Sequence, residues 1–315
     1  MLKRSQKTLL LLIVFVFALM APSFIYPVLL MKVLCFALFA SAFNILLGFA
    51  GILSFGHAMF FGSAAYVSAH TIKVLGWPTE LGILAGGAIG AVLGFVVGIL
   101  CVRRQGIYMT MITLAFAQML FFFFLRAPFS GGENGLQGVP RRAVLGVFDI
   151  ADERTLYYFV LTIFAVFFAL IYRIIHSPFG QVLKAIRDNE PRSISLGYDV
   201  DRFKLIAFVL SAGISGIAGA TKAVVFQLAS LSDVHWGMSG EVILMTLVGG
   251  IGTIFGPLVG AAFIVGMQNQ LAGLGEWVLV VQGLIFMILV LVLRDGIVGS
   301  LRGLSTRVAE WRRAR

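Results

Sequence analysis

Few side chains in this sequence have the types and spacing that chemistry needs. His57 follows Ser54-Phe55-Gly56 with no carboxylate nearby. Without an acid to orient it, such a histidine packs against neighbours or faces a pore more readily than it acts as a base. Cys35 and Cys101 lie in separate apolar runs, which fits two buried thiols rather than a disulfide or a metal site. Gly216-Ile-Ala-Gly-Ala-Thr-Lys222 has the glycines and lysine of a phosphate loop but misses the Gly-x4-Gly-Lys-Ser/Thr spacing. It sits in an apolar run, so Lys222 is expected to snorkel towards the outer interface. Glu80, Glu241 and Glu276 begin apolar stretches instead of standing in their middles. With no His-Glu-x-x-His and no Gly-x-Ser-x-Gly either, the chain is not an enzyme on its own.

One long polar segment remains, Ser177 to Gly197, SPFGQVLKAIRDNEPRSISLG. Ser177 is placed to cap a helix with Pro178 at its first position. Leu183 and Ile186, against Lys184, Arg187 and Asp188, make that helix amphipathic. The residue before Pro191 is pushed out of helical geometry, so the helix is expected to end near Asn189. A second turn then runs from Pro191 to a closing Gly197. The pair is either a solvated loop with local helix or a short helix that seats in a groove on an ATPase.

The elements that must position these residues are membrane helices. Hydrophobic residues make up 60% of the chain and charged ones 12%, with mean hydropathy +1.00, whereas soluble domains carry roughly 25% charged residues. Apolar stretches of about 20 residues stand near 9–27, 28–50, 52–70, 80–101, 107–125, 156–175, 204–228, 254–271 and 277–293, with a shorter one at 240–251. The reading is one all-α domain over 1–315, a polytopic transmembrane bundle of about 8–10 spans. Its basic start resembles a signal peptide, but the apolar sequence continues past Pro22 and is read as a retained first helix.

With ten crossings and the N-terminus inside, most of the 24 Lys and Arg residues fall inside, with fewer than half of the 14 acidic ones. That is the positive-inside asymmetry. It accounts for a pI near 10.0 without nucleic acid, for which no groove-reading basic face is evident. It puts 177–203 and the basic tail 294–315 inside and the loop 126–155 outside. That outer loop is either solvated or a docking surface for an external partner.

Glycine is frequent, with 36 residues clustered inside the apolar runs at 48–56, 82–94 and 249–260. The middle cluster recurs at helical spacings and suits close packing of helices. The other two set Gly, Ser, Thr or Pro in succession and would break a helix at membrane depth. Irregular backbone survives there only when buried in protein or lining a wet cavity. Their likeness points to an inverted repeat with broken half-helices in corresponding places. No Asp or Glu stands mid-span, which disfavours proton coupling. The energy for any transport is expected from another subunit.

Several stretches, taken in order, resemble a known family. GFAGILSFGHAMFFGSAAY (48–66), RRQGIYMTMITLAFAQ (103–118), GGENGLQGVPR (131–141), SPFGQVLKAIRDNEPRSISLG with KLIAFVLSAGISGIAGA (177–220) and VGGIGTIFGPLVGA (248–261) are similar to the LivM-type permease subunit of branched-chain amino-acid ABC importers. The resemblance implies a multi-pass subunit of the bacterial inner membrane, both termini cytoplasmic, in contact with lipid and not with nucleic acid. It implies a heterodimer with a LivH-like permease, two cytoplasmic ATPase subunits that bind the ATP and Mg, and a periplasmic solute-binding protein that delivers Leu, Ile or Val. No cofactor or metal is implied in this chain.

It also implies that Ala185–Gly197 takes the place of the ATPase-coupling motif, with Arg187, Asp188, Asn189 and Glu190 at the contact. The run Pro191-Arg192-Ser193-Ile194-Ser195 departs from the small residues common there. The substrate pathway is then expected past the two helix breaks, Ser54, Phe55, Gly56 and His57, and Gly249, Gly252 and Gly256. Tyr108, Thr110, Thr113 and Gln118 are its polar candidates. Urea, amides or another small polar solute are alternative substrates. A stand-alone secondary transporter or channel is the rival function, and a membrane-embedded enzyme a distant third.

Overall fold

The structure, a computed structural model, describes residues 20–104, 106–143, 150–292 and 296–300. The expected first helix up to residue 19 and the tail from 301 lie outside the described residues. Helix α1 (Pro27–Asn44) runs into a π-helical turn, Ile45–Ala50. Then come α2 (His57–Lys73), α3 (Thr79–Cys101), α4 (Ile107–Arg126) and α5 (Glu153–His176). Two short helices follow, α6 (Pro178–Asp188) and α7 (Glu190–Ser195), before α8 (Val200–Phe226), α9 (Trp236–Gly249), α10 (Gly256–Leu271) and α11 (Val278–Val292). Two-residue strands β1 (Leu136–Gln137) and β2 (Leu228–Ala229) pair antiparallel.

The molecule is a polytopic all-α bundle. Pro27–Ala50, Thr79–Cys101, Ile107–Arg126, Glu153–His176 and Val200–Phe226 are long and apolar enough to cross a membrane. Every expected stretch from residue 28 onward coincides with a helix. Helices α9 and α10, 14 and 16 residues long, are short because the chain breaks between Gly250 and Phe255.

Helix α1 is the axis of the bundle, with 83% of its apolar window buried inside the protein, against 22% for α4 and for α5. It packs on α8, α10, α5 and α9. Helices α3 and α8 lie together through small residues. A Cβ added at Gly90 would stand 2.8 Å from the Ala212 carbonyl oxygen, and one at Gly216 as close to that of Gly86. Close backbone approach of this kind replaces the hydrophobic drive that lipid does not supply.

Two opposite ends are defined by side chains. One, the basic end, carries Arg103, Arg104, α6 and α7. At the other end the 126–155 loop is pinned across the bundle. Arg141 Nη2 donates to the Val225 carbonyl (2.7 Å), Arg142 Nη1 to that of Gly76 (2.7 Å) and Lys73 Nζ to that of Gln137 (2.6 Å). β1 adds its pairing with β2. The described part of this loop is therefore tied down rather than freely solvated.

One expectation is corrected here. Lys222 does not snorkel to an interface; its ammonium pairs with Asp233, whose side chain is 1% exposed. An ammonium held in this part-buried place would be costly if left without a partner, and the carboxylate compensates its charge. The glycine clusters 48–56 and 249–256 lie side by side at one end of the bundle, joined by Asn44.

Candidate functional site

The polar segment folds as its residues dictate. Ser177 Oγ accepts from the Gly180 amide (3.4 Å), satisfying a free donor of the first turn of α6. Asn189 is extended (φ −158, ψ 95) and ends α6. Its Oδ1 then accepts from the Arg192 amide (3.0 Å) and caps α7, so one residue both stops and starts a helix. Gly197 closes the segment at φ +88, a conformation that favours glycine. Leu183 and Ile186 are buried against the bundle, and Phe179 stacks on Phe203 of α8 at 5.5 Å.

Arg187 carries this arm into the membrane helices. Its Nη1 donates to the Gly48 carbonyl at 2.6 Å, while Nε and Nη2 hold Asp188 Oδ1 at 3.0 and 2.9 Å. The carbonyls at a helix C-terminus lack intrahelical partners and sit at the negative end of its dipole, so a guanidinium is well placed there. The Arg187 stem also covers Gly51, which is left-handed (φ +71); a Cβ there would stand 2.7 Å from Arg187 Cγ.

Asn44 joins the two breaks. Its Nδ2 donates to the Thr253 carbonyl (2.8 Å) and its Oδ1 accepts from the Gly252 amide (3.1 Å). Gly48 packs on the Gly252 amide so closely that a Cβ would come within 2.6 Å. Thr253 Oγ1 takes the Gly256 amide (3.1 Å) and starts α10. One arm thus touches one helix break, and that break is clamped to the other.

A second link is ionic. Lys204 of α8, whose side chain is 7% exposed, pairs with Glu190 at the start of α7 (2.7 Å). Between the arm, the first break and the start of α4 lies a cleft of about 700 Å³.

The other expected site residues separate by depth. Ser54, His57 and Thr113 are fully buried. Ser54 Oγ accepts from the Gly56 amide (3.3 Å). His57 Nε2 lies 2.9 Å from Ser211 Oγ, which itself donates to the Ala42 carbonyl, so Nε2 is the donor. Phe43, Phe60 and Phe208 enclose the ring. Gly56 lies against the Thr113 carbonyl, and Gly249 against that of Gly256. Phe55 is half-buried against the core. Tyr108 is 75% exposed on α4, Thr110 lines the cleft, and Gln118 is half-buried on the same helix. Ala185 and Gly197 are exposed on the arm. Among the described residues no group of His, Cys, Asp or Glu has the geometry to hold a metal.

Residues 27–293 match the family described as branched-chain amino acid transport system / permease component. The chain belongs to this family. It is 26% identical over 266 residues to the high-affinity branched-chain amino acid transport system permease protein LivM of Escherichia coli (strain K12), and 25% identical over 264 residues to LivM of Salmonella typhimurium (strain LT2). Each alignment covers 76% of this chain and 62% of the relative, so the chain spans less than two thirds of these relatives' length. It is also 30% identical over 139 residues to the ribose import permease protein RbsC of Bacillus subtilis (strain 168), covering 39% of this chain and 41% of that one. No solved structure matches significantly.

Within this permease-family chain, the residues that sequence reading passed over are Asn44, Lys204 and Asp233. Asn44 did carry a signal, since an amide in the apolar run 28–50 has to find partners when buried.

Proposed function

We propose that this chain is the membrane-spanning permease subunit of an ATP-driven importer that translocates Leu, Ile or Val. In this reading a periplasmic binding protein delivers the solute, and ATP and Mg bind to separate cytoplasmic ATPase subunits. A LivH-like permease completes the pathway in the bacterial inner membrane, with both termini of this chain cytoplasmic. The observation that carries the reading is the Arg187–Gly48 hydrogen bond, by which an amphipathic surface helix grips a break in the central membrane helix. Family membership and the similarity to the two LivM permeases support the substrate class.

The arm divides its work. Arg187 and Glu190 face the bundle and transmit displacement to α1 and α8. Ile194, Leu196 and Tyr198 are 58%, 68% and 42% exposed and, with Arg192, form the knob that seats on the ATPase. ATP-driven closure of the ATPase pair then shifts the population between outward and inward states. The weakly buried α4, with Tyr108, Met111 and Phe122 exposed, faces the second permease and the pathway.

The test is leucine uptake into proteoliposomes holding the two permeases and ATPases, with binding protein outside and ATP within. The reading predicts ATP-dependent uptake and no flux from this chain alone. Gradient-driven flux through the chain alone would replace it with the secondary-transporter reading. Uptake of urea or an amide in place of leucine would change the substrate.

A further inference from the structure

The cleft beneath the arm is shaped and charged for a small ligand of its own. Its volume of about 700 Å³ falls within the range of small-molecule sites, roughly 300–1,000 Å³. Its walls are the arm, the break at Ala50–Leu53 and the start of α4. Two of its charges saturate each other, Lys204 with Glu190. Two others are left with capacity. Arg104 lines the cleft, is exposed, and forms no ion pair among the described residues. Asp188 spends Oδ1 on Arg187, and its Oδ2 accepts no hydrogen bond among the described residues. The same walls carry the apolar side chains of Ile52, Leu53, Ile107 and Met109.

A free cation, a free carboxylate oxygen and an apolar wall match an amino-acid zwitterion with an aliphatic side chain. We propose that this cleft binds such an amino acid from the cytoplasmic side, carboxylate on Arg104 and ammonium on Asp188, and that the occupant brakes transport. The inference rests on the sidedness and substrate class proposed above. The ligand would bridge the chain leading into α4 to the arm, across the gap that the arm must change to move the helix break. A ligand that binds one of two conformations better holds the protein there in proportion to its occupancy. Product accumulating inside would then slow its own import.

The whole reconstituted transporter supplies the test. Initial uptake of labelled leucine is compared in vesicles with an empty lumen and in vesicles preloaded with unlabelled leucine. The expected result is a several-fold lower rate in loaded vesicles, with Arg104→Gln bringing the loaded-to-empty ratio to about one. Equal rates in loaded and empty wild-type vesicles, or inhibition unchanged by Arg104→Gln, would overturn the brake while leaving the importer standing. Absence of ATP-dependent uptake into empty vesicles would overturn both, and so marks failure of the importer reading.

Discussion

Arg187 donates a 2.6 Å hydrogen bond from Nη1 to the carbonyl oxygen of Gly48, 139 residues earlier in the chain. The acceptor belongs to the π-helical turn that ends the most buried of the five membrane-length helices. Irregular turns of this kind inside helices concentrate at functional positions. A charge-assisted bond is about twice as strong as a neutral one, so the arm and the break are expected to move together.

Asn44 should carry much of the stability at the second break. Asn44→Leu leaves the half-buried Gly252 amide and Thr253 carbonyl without their partner; a fully buried group left unpaired costs about 1–3 kcal/mol, and these two less. Thermal unfolding of the detergent-purified chain is expected to shift clearly downward. An unchanged midpoint in Asn44→Leu would mean that the clamp contributes nothing.

The ion pair at the opposite end makes a sharper double test. Asp233→Asn strands the Lys222 ammonium beside a side chain that is 1% exposed, which costs about 3–5 kcal/mol. Lys222→Met added to Asp233→Asn should recover most of the loss, because no uncompensated charge remains. Equal destabilisation in the single and double variants would remove the pairing from the account.

Much of this arrangement was legible in the sequence, because it is local. Ser177, Pro178, the break at Asn189 and the closing Gly197 are short-range signals, and α6 and α7 follow them to within a residue or two. Helix positions followed from apolar run lengths. What lay beyond reach was which distant residues meet. Asn44 reaches a partner 209 positions away, and Glu190 pairs with Lys204 of α8. The two glycine clusters touch each other, which their likeness in sequence did not show.

Glycine substitutions should separate packed from open positions. A Cβ at Gly219 would run into the Phe61 carbonyl and one at Gly260 into that of Met245, whereas nothing lies within 4 Å at Gly266. Gly219→Ala and Gly260→Ala are expected to cost about 1–3 kcal/mol or more by overpacking, and Gly266→Ala almost nothing. Fluorescence-detected size exclusion of the three variants reads this as loss of the folded peak in the first two only.

Charge exchange checks the second link of the arm. Glu190→Lys sets two cations together beside α8 and should abolish leucine uptake in the reconstituted transporter. The double variant Glu190→Lys with Lys204→Glu restores opposite charges and should regain a measurable part of it. A double variant as inactive as the single one would show that Glu190 acts elsewhere.

The central claim, that the arm moves the helix break through Arg187, is tested by leucine transported per ATP hydrolysed in the complete reconstituted transporter. Arg187→Met keeps the aliphatic stem over Gly51 and removes the bond to Gly48. The account predicts continued ATP hydrolysis with uptake lowered about tenfold or more, as loss of a charge-assisted hydrogen bond implies. A leucine-to-ATP ratio equal to that of the unaltered protein would contradict it.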